Sequence, residues 1–161
     1  MRVVITGANR GLGLGLARAF AERGDEVWAT ARRPGEAREL QALAKASEGR
    51  VHVHEVDVRK DDQIEAFAAA VGDAPVDVLV NNAGVASPWS QGLMDFDAEE
   101  AMRCFDTNAL GAIRMTRALV LVRFRDSSTS ASGRRVMSAM RSVNWKLDTE
   151  APKYCAAISS I

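Results

Sequence analysis

The residues with the clearest chemical potential stand near the N-terminus. Thr6-Gly7-Ala8-Asn9-Arg10-Gly11-Leu12-Gly13 joins a β-branched run to a helix-forming one. The three glycines divide the labour of a phosphate loop. One permits a tight turn, another lets backbone approach a pyrophosphate, and a third allows close packing of helix on sheet. A helix starting there aims free N–H groups and the positive end of its dipole at the phosphates. A flexible Gly-rich turn could share this spacing; the strand before it and the helix after it favour the phosphate loop.

An acid ~20 residues beyond such glycines commonly accepts the ribose 2′-OH. Here the corresponding stretch is Thr30-Ala31-Arg32-Arg33, with no carboxylate. Arg32 and Arg33 offer guanidiniums to a 2′-phosphate, and Arg10 adds a third from within the loop. This favours NADP over NAD. Arg32 and Arg33 also read as ordinary surface charges at the start of a loop.

Other residues carry weaker signals. Asn81 and Asn82 fall at a strand's carboxyl end, where open parallel sheets bind ligands, although asparagine also suits plain turns. Asn108 lies on the apolar stripe of a long helix, where a buried amide needs partners, functional or structural. His52-Val53-His54 puts two imidazoles on one side of a strand, but no further ligand spacing supports a metal. Cys104 reads as core filler rather than a nucleophile. Trp89 and Met94 are either substrate contacts or loop anchors.

The elements that must position these residues alternate. Strands are expected at 2–6, 26–31, 50–58 and 76–80, with helices at 11–23, 35–47 and 61–71 between them. On the first helix Leu12, Leu16, Ala19 and Phe20 share a face, and Gly24 is placed to end it. Asp97 reads as an N-cap with Glu100 completing a capping box. A long helix then runs to about Arg123, with Ala101, Phe105, Asn108, Ala112, Met115 and Leu119 on one face. Residues 134–138 are a candidate fifth strand. Strands separated by helices imply parallel pairing and right-handed crossovers. The expected fold is α/β, a Rossmann-type doubly wound sheet in the order 3-2-1-4-5, lacking the last strands of the full fold.

Composition excludes several classes. The chain has 161 residues, 47% hydrophobic and 26% charged, which suits one folded domain rather than a disordered chain. Lys+Arg and Asp+Glu number 21 each, so no global basic excess argues for nucleic acid. Residues 119–161 carry seven bases against three acids, but lack the interleaved aromatics of a nucleic-acid surface. No apolar run approaches the ~20 residues of a membrane span. The N-terminal residues lack a secretory apolar stretch, so the cytoplasm is the expected compartment. Two cysteines, Cys104 and Cys155, make no disulfide framework. An open sheet edge and the long helix's apolar face are expected to favour self-association.

The spacing TGxxxGxG resembles that of the short-chain dehydrogenases/reductases, and within them the chain is similar to the C-factor-like carbonyl reductases. Four further stretches support this. Asp57-Val58 matches the position whose aspartate contacts the adenine ring. Asn81-Asn82-Ala83-Gly84 matches the signature that stabilises the sheet and lines the cofactor channel. Asn108, in Thr107-Asn108-Ala109-Leu110-Gly111, matches the asparagine of the catalytic tetrad. Residues 29–34, ATARRP, match the stretch where NADP-preferring members carry a base. The resemblance implies hydride transfer between NADPH and a small carbonyl or alcohol. It covers residues 1–118; residues 119–161 form a divergent tail of the same domain.

The resemblance also implies a serine and a Tyr-x-x-x-Lys pair. Residues i and i+4 share a helical face, so the lysine can lower the tyrosine pKa. The single tyrosine is Tyr154, and Ile158 stands four residues later. Ser142, twelve residues before Tyr154, is the better-spaced serine; Ser138 is the alternative. Tyr154 as acid, Ser142 as carbonyl polariser and Asn108 as relay are the expected catalytic residues. Without the lysine, activity is expected to be weak or lost. A non-catalytic dinucleotide-binding or signalling protein is the competing expectation.

Overall fold

The structure, a computed structural model, describes residues 1–86 and 96–125. Its strands are β1 (Arg2–Ile5), β2 (Glu26–Ala31), β3 (Val51–Glu55) and β4 (Val78–Val80). They form one parallel sheet in the order β3-β2-β1-β4. The helices are α1 (Gly11–Glu22), α2 (Arg38–Ala46), α3 (Asp61–Val71), α4 (Ala98–Phe105) and α5 (Gly111–Arg125). A 3₁₀ turn, Pro34–Glu36, precedes α2, and a π turn, Asp106–Leu110, joins α4 to α5.

Both faces of the sheet are covered. Alternate residues of a strand point to opposite faces. Val3 and Ile5 of β1 therefore join Val27, Ala29 and Ala31 of β2 under Leu14 and Ala17 of α1 and Leu40 of α2. Val4 and Trp28 face the other way, onto Ile64 and Phe67 of α3 and Met115 and Leu119 of α5. Ile5, Leu40 and Met115 are fully buried; burial of such a side chain is worth about 1.5–3 kcal/mol. This is a Rossmann-type doubly wound sheet, with strand carboxyl ends gathered along one rim. The candidate fifth strand at 134–138 lies outside the described residues.

Three expectations need correction. The core face of α1 is Gly13, Leu14, Ala17 and Ala21, whereas Leu12 is exposed and Leu16 and Phe20 are only partly buried. Small residues let the helix come close to the sheet, so the buried stripe is not the most hydrophobic one. β3 stops at Glu55 because its pairing with β2 ends at Ala31↔Glu55; Val56, Asp57 and Val58 are buried beyond the ladder. The long helix is interrupted. Met115 and Leu119 are buried as expected, but Phe105 and Asn108 are exposed. A π turn carries an extra residue, and each residue turns a helix by ~100°, so the faces before and after it are out of phase.

Candidate active site

Thr6 ends the first half of the site. It is 1% exposed. Its Oγ1 accepts the backbone N–H groups of Asn82 and Ala83, each at 2.9 Å, and donates to the Val80 carbonyl at 3.4 Å. Asn82 returns the connection: Nδ2 donates to the carbonyls of Thr6 (2.9 Å) and Gly7 (3.0 Å). The loops after β1 and β4 are thus bonded together at the rim. The motif spacing carries no signal for this double acceptance by Thr6, because both donors lie far away in sequence.

The glycines are required for different reasons. Gly7 has φ +66°, and a Cβ there would lie 2.8 Å from the Ala83 Cα. Gly13 packs so closely that a Cβ would clash with Asn82 Nδ2 and stand 2.6 Å from the Gly7 carbonyl oxygen. Gly11 has φ +55° with open space where a Cβ would point. Ala8 N–H donates to the Thr30 carbonyl at 2.8 Å, which fixes the loop to β2. Arg10, extended at φ −162°, makes no side-chain cap on α1, so the helix opens toward solvent beside exposed Asn9, Gly11 and Leu12. These features fit a pyrophosphate: a helix start without a side-chain cap and open space beside Gly11.

The basic residues stand around this loop. Arg10, Arg32 and Arg33 are all exposed. Arg33 forms an exposed pair with Glu36 at 3.4 Å, the kind of contact worth little in water. Arg32 lies close enough to Asp57 to act on its charge.

Asp57 is held tightly. Arg59 donates to its Oδ1 from the backbone N and from Nε, both at 3.0 Å, and to Oδ2 from Nη2 at 2.7 Å. Gln63 Oε1 accepts the Asp57 N–H at 2.7 Å. The Arg59 hydrogen bond holds the carboxyl below its usual range, against burial, which raises it. Two carboxylate oxygens offer about four acceptor positions, and Arg59 fills three. One remains for a donor such as an adenine amine. Arg59 was missed; the Asp-x-Arg spacing of an Asx turn is the signal that could have found it. Val58 is buried against Gly111, whose added Cβ would stand 2.6 Å from Val58 Cγ2.

Asn108 reaches the rim from the π turn. Its Oδ1 accepts the Val85 N–H and its Nδ2 donates to the Val85 carbonyl, both at 2.8 Å. Its Oδ1 also lies 3.3 Å from where a Cβ on Gly84 would sit. The amide is therefore exposed and doubly bonded, not buried in an apolar stripe. Asn81 Nδ2 donates to Thr116 Oγ1 at 3.3 Å, tying β4 to α5, while its buried Oδ1 has no partner among the described residues. Ser138, Ser142 and Tyr154, and the loop residues Trp89 and Met94, lie outside the described residues.

Both histidines pack on Trp28: His54 stacks on it with ring centroids at 5.1 Å, and His52 lies tilted against it at 4.5 Å. Burial first, and then the charge of His52, lowers the His54 pKa. Among the described residues no group of three His, Cys, Asp or Glu could hold a metal ion. No helix of the described residues is long and apolar enough to cross a membrane. Cys104 is half-buried.

A doubly wound sheet with a glycine cradle at its first turn defines a nucleotide-binding α/β domain. The chain belongs to the short chain dehydrogenase family, whose model matches residues 1–134. Among curated relatives, it is 37% identical over 120 residues to an uncharacterized oxidoreductase, YusZ, of Bacillus subtilis, covering 73% of this chain and 42% of that protein. It is 38% identical over 122 residues to the NADP-dependent 3-hydroxy acid dehydrogenase YdfG of Salmonella typhimurium, covering 74% and 48%. A crystal structure of a carbonyl reductase from Pseudomonas aeruginosa in complex with NADP superposes with a TM-score of 0.70 at 41% identity, covering 74% of this chain and 54% of the other. The chain thus spans about half the length of the relatives it matches.

Proposed function

We propose that the chain is an NADP-preferring short-chain oxidoreductase, whose proposed chemistry is hydride transfer between NADPH and a small carbonyl or alcohol. The observation that carries this reading is the cradle of Gly7, Gly11 and Gly13 locked to Asn82 and Ala83 through Thr6. Bound there, the dinucleotide would supply the hydride. Gly7, Asn9, Gly11, Leu12 and Gly13 hold its pyrophosphate. Arg10, Arg32 and Arg33 take the 2′-phosphate, which NAD lacks. Asp57 and Val58 border the adenine, and Asn82, Ala83 and Gly84 line the channel toward the nicotinamide. The Salmonella and Pseudomonas relatives, one NADP-dependent and one bound to NADP, support the same cofactor. The carbonyl reductase likeness fits the C-factor-like subgroup.

On this reading Tyr154 donates the proton, Ser142 polarises the carbonyl and Asn108 holds a proton relay to the Val85 backbone. Residues 1–161 act as one domain, with 1–118 as its core, in the cytoplasm and without nucleic acid or membrane. One observation favours a second reading. Ile158 stands where the family's lysine would follow Tyr154, so a non-catalytic dinucleotide-binding or signalling role is the alternative. Exposed Met102, Phe105 and Ile113 on α4 and α5 favour self-association through this face; light scattering showing a stable monomer would remove that part.

The test pairs binding with turnover. Replacing Arg10 and Arg32 together by alanine should weaken NADPH binding at least tenfold and leave NADH nearly unchanged, measured by calorimetry. Carbonyl-dependent NADPH oxidation that vanishes in Tyr154→Phe supports the enzyme. Saturable NADPH binding with no turnover on a panel of carbonyls selects the binding protein instead.

A further inference from the structure

We infer that Arg114 is a positioning residue for Asn108: its guanidinium fastens the π turn that holds the Asn108 amide against Val85. A π turn disturbs the backbone ladder where it begins. Two side chains add second donors there, to carbonyls that each already accept a backbone N–H. Thr107 Oγ1 donates to the Arg103 carbonyl at 2.9 Å. Arg114 Nη1 donates to the Asp106 carbonyl at 3.4 Å, a carbonyl that also accepts the Gly111 N–H.

The same guanidinium makes two ion pairs. Nη1 stands 2.7 Å from Asp106 Oδ1, and Nε stands 3.5 Å from Asp61 Oδ1 at the start of α3. Arg114 therefore grips the first residue of the π turn by both its carbonyl and its carboxylate. It also ties the turn to α3. The Gly111–Val58 contact seats the turn against the loop after β3. With both ends fixed, Asn108, two residues beyond Asp106, faces Val85 with both amide atoms bonded. An isolated exposed ion pair would contribute little; the backbone carbonyl in the grip is what couples this one to the turn. Lysine, a compact ammonium without the planar fork, would hold this set less well.

The inference rests on the reading of Asn108 as a site residue, but its test is independent of turnover. Nuclear magnetic resonance on the full chain compares the native protein with Arg114→Met and Arg114→Lys. In Arg114→Met the Val85 amide hydrogen should exchange at least tenfold faster, and the Asn108 side-chain amide pair should move toward free-amide shifts. The Val4 amide in β1 should change less than twofold. Arg114→Lys should recover part of the Val85 protection. Unchanged Val85 and Asn108 signals, or an equal acceleration at Val4 and Val85, would overturn the inference. If Arg114→Met does not fold, Arg114→Lys against the native chain carries the comparison: faster exchange at Val85 than at Val4 is expected, and unchanged or equal exchange at the two overturns the inference. NADPH titration of the native sample separates the two claims: absence of binding sinks the dinucleotide reading and leaves the exchange result standing.

Discussion

Thr6→Val isolates one oxygen atom. Valine matches threonine in shape, so packing around this 1% exposed side chain is kept. What is lost is an acceptor for two backbone N–H groups, Asn82 and Ala83, each bonded at 2.9 Å. Leaving a buried donor unpaired costs about 1–3 kcal/mol. Both groups belong to half-buried residues, so the lower half of that range applies to each, and the total is roughly 2–4 kcal/mol. The weak donation to Val80 at 3.4 Å adds little. Domains of this kind have a stability of about 5–15 kcal/mol, so the loss is a large share. With a urea m-value of about 2 kcal/mol/M, the middle of the usual range, the midpoint should fall by about 1–2 M at unchanged m. Thr6→Ser keeps the oxygen and drops a methyl, at about 0.8 kcal/mol. Urea unfolding followed by tryptophan fluorescence ranks the three proteins. The expected order is native, then Ser, then Val, although valine is the more apolar. A Val variant as stable as the native chain, or more stable than Ser, would refute the reasoning.

Other outcomes follow from the same geometry. Gly13→Ala should destabilise by about 1–3 kcal/mol through overpacking against Asn82 and the Gly7 carbonyl and abolish NADPH binding, measured by thermal unfolding and calorimetry. Gly15→Ala, on the same helix with open space around its Cβ, should instead stabilise by about 0.5–1 kcal/mol. His54 has a folded pKa below its ordinary 6.5, so the unfolded chain binds more protons between the two values. Stability is then complete above pH 6.5 and falls as pH drops through the folded value. Acid titration of stability should show this early phase, and His54→Gln should remove it. Asp57, with its pKa lowered by Arg59, gives a later phase: its stabilisation is present above the usual carboxylate range and is lost below it. Asp57→Asn should remove that later loss.

Much of the frame was legible because local signals agreed. β2 and α3 have the expected bounds: β2 lies between Gly24 and Pro34, and the alanine-rich α3 ends at Gly72. Asp97 caps α4 as expected, accepting from the N–H groups of Glu99 and Glu100. The second half of the capping box did not form, because Glu100 turns to Arg103 instead. The glycine spacing located the cradle, yet not the reason Gly13 must be glycine, which is a contact with Asn82 far away in sequence. The π turn was not legible: a continuous helical pattern across 98–125 conceals one inserted residue. That residue moved Asn108 out of the stripe and placed it on Val85. Arg59 and Arg114 escaped notice because a surface arginine has no pattern of its own; only folding reveals which carboxylate and carbonyl it meets.

The central claim is that this rim holds a dinucleotide with a 2′-phosphate. Calorimetric titration of the purified chain with NADPH, and then with NADH, tests it most directly. The account predicts saturable binding of both, at least tenfold tighter for NADPH. No saturable binding of either would contradict it and show that the Thr6–Asn82 cradle, though formed, is not a cofactor site.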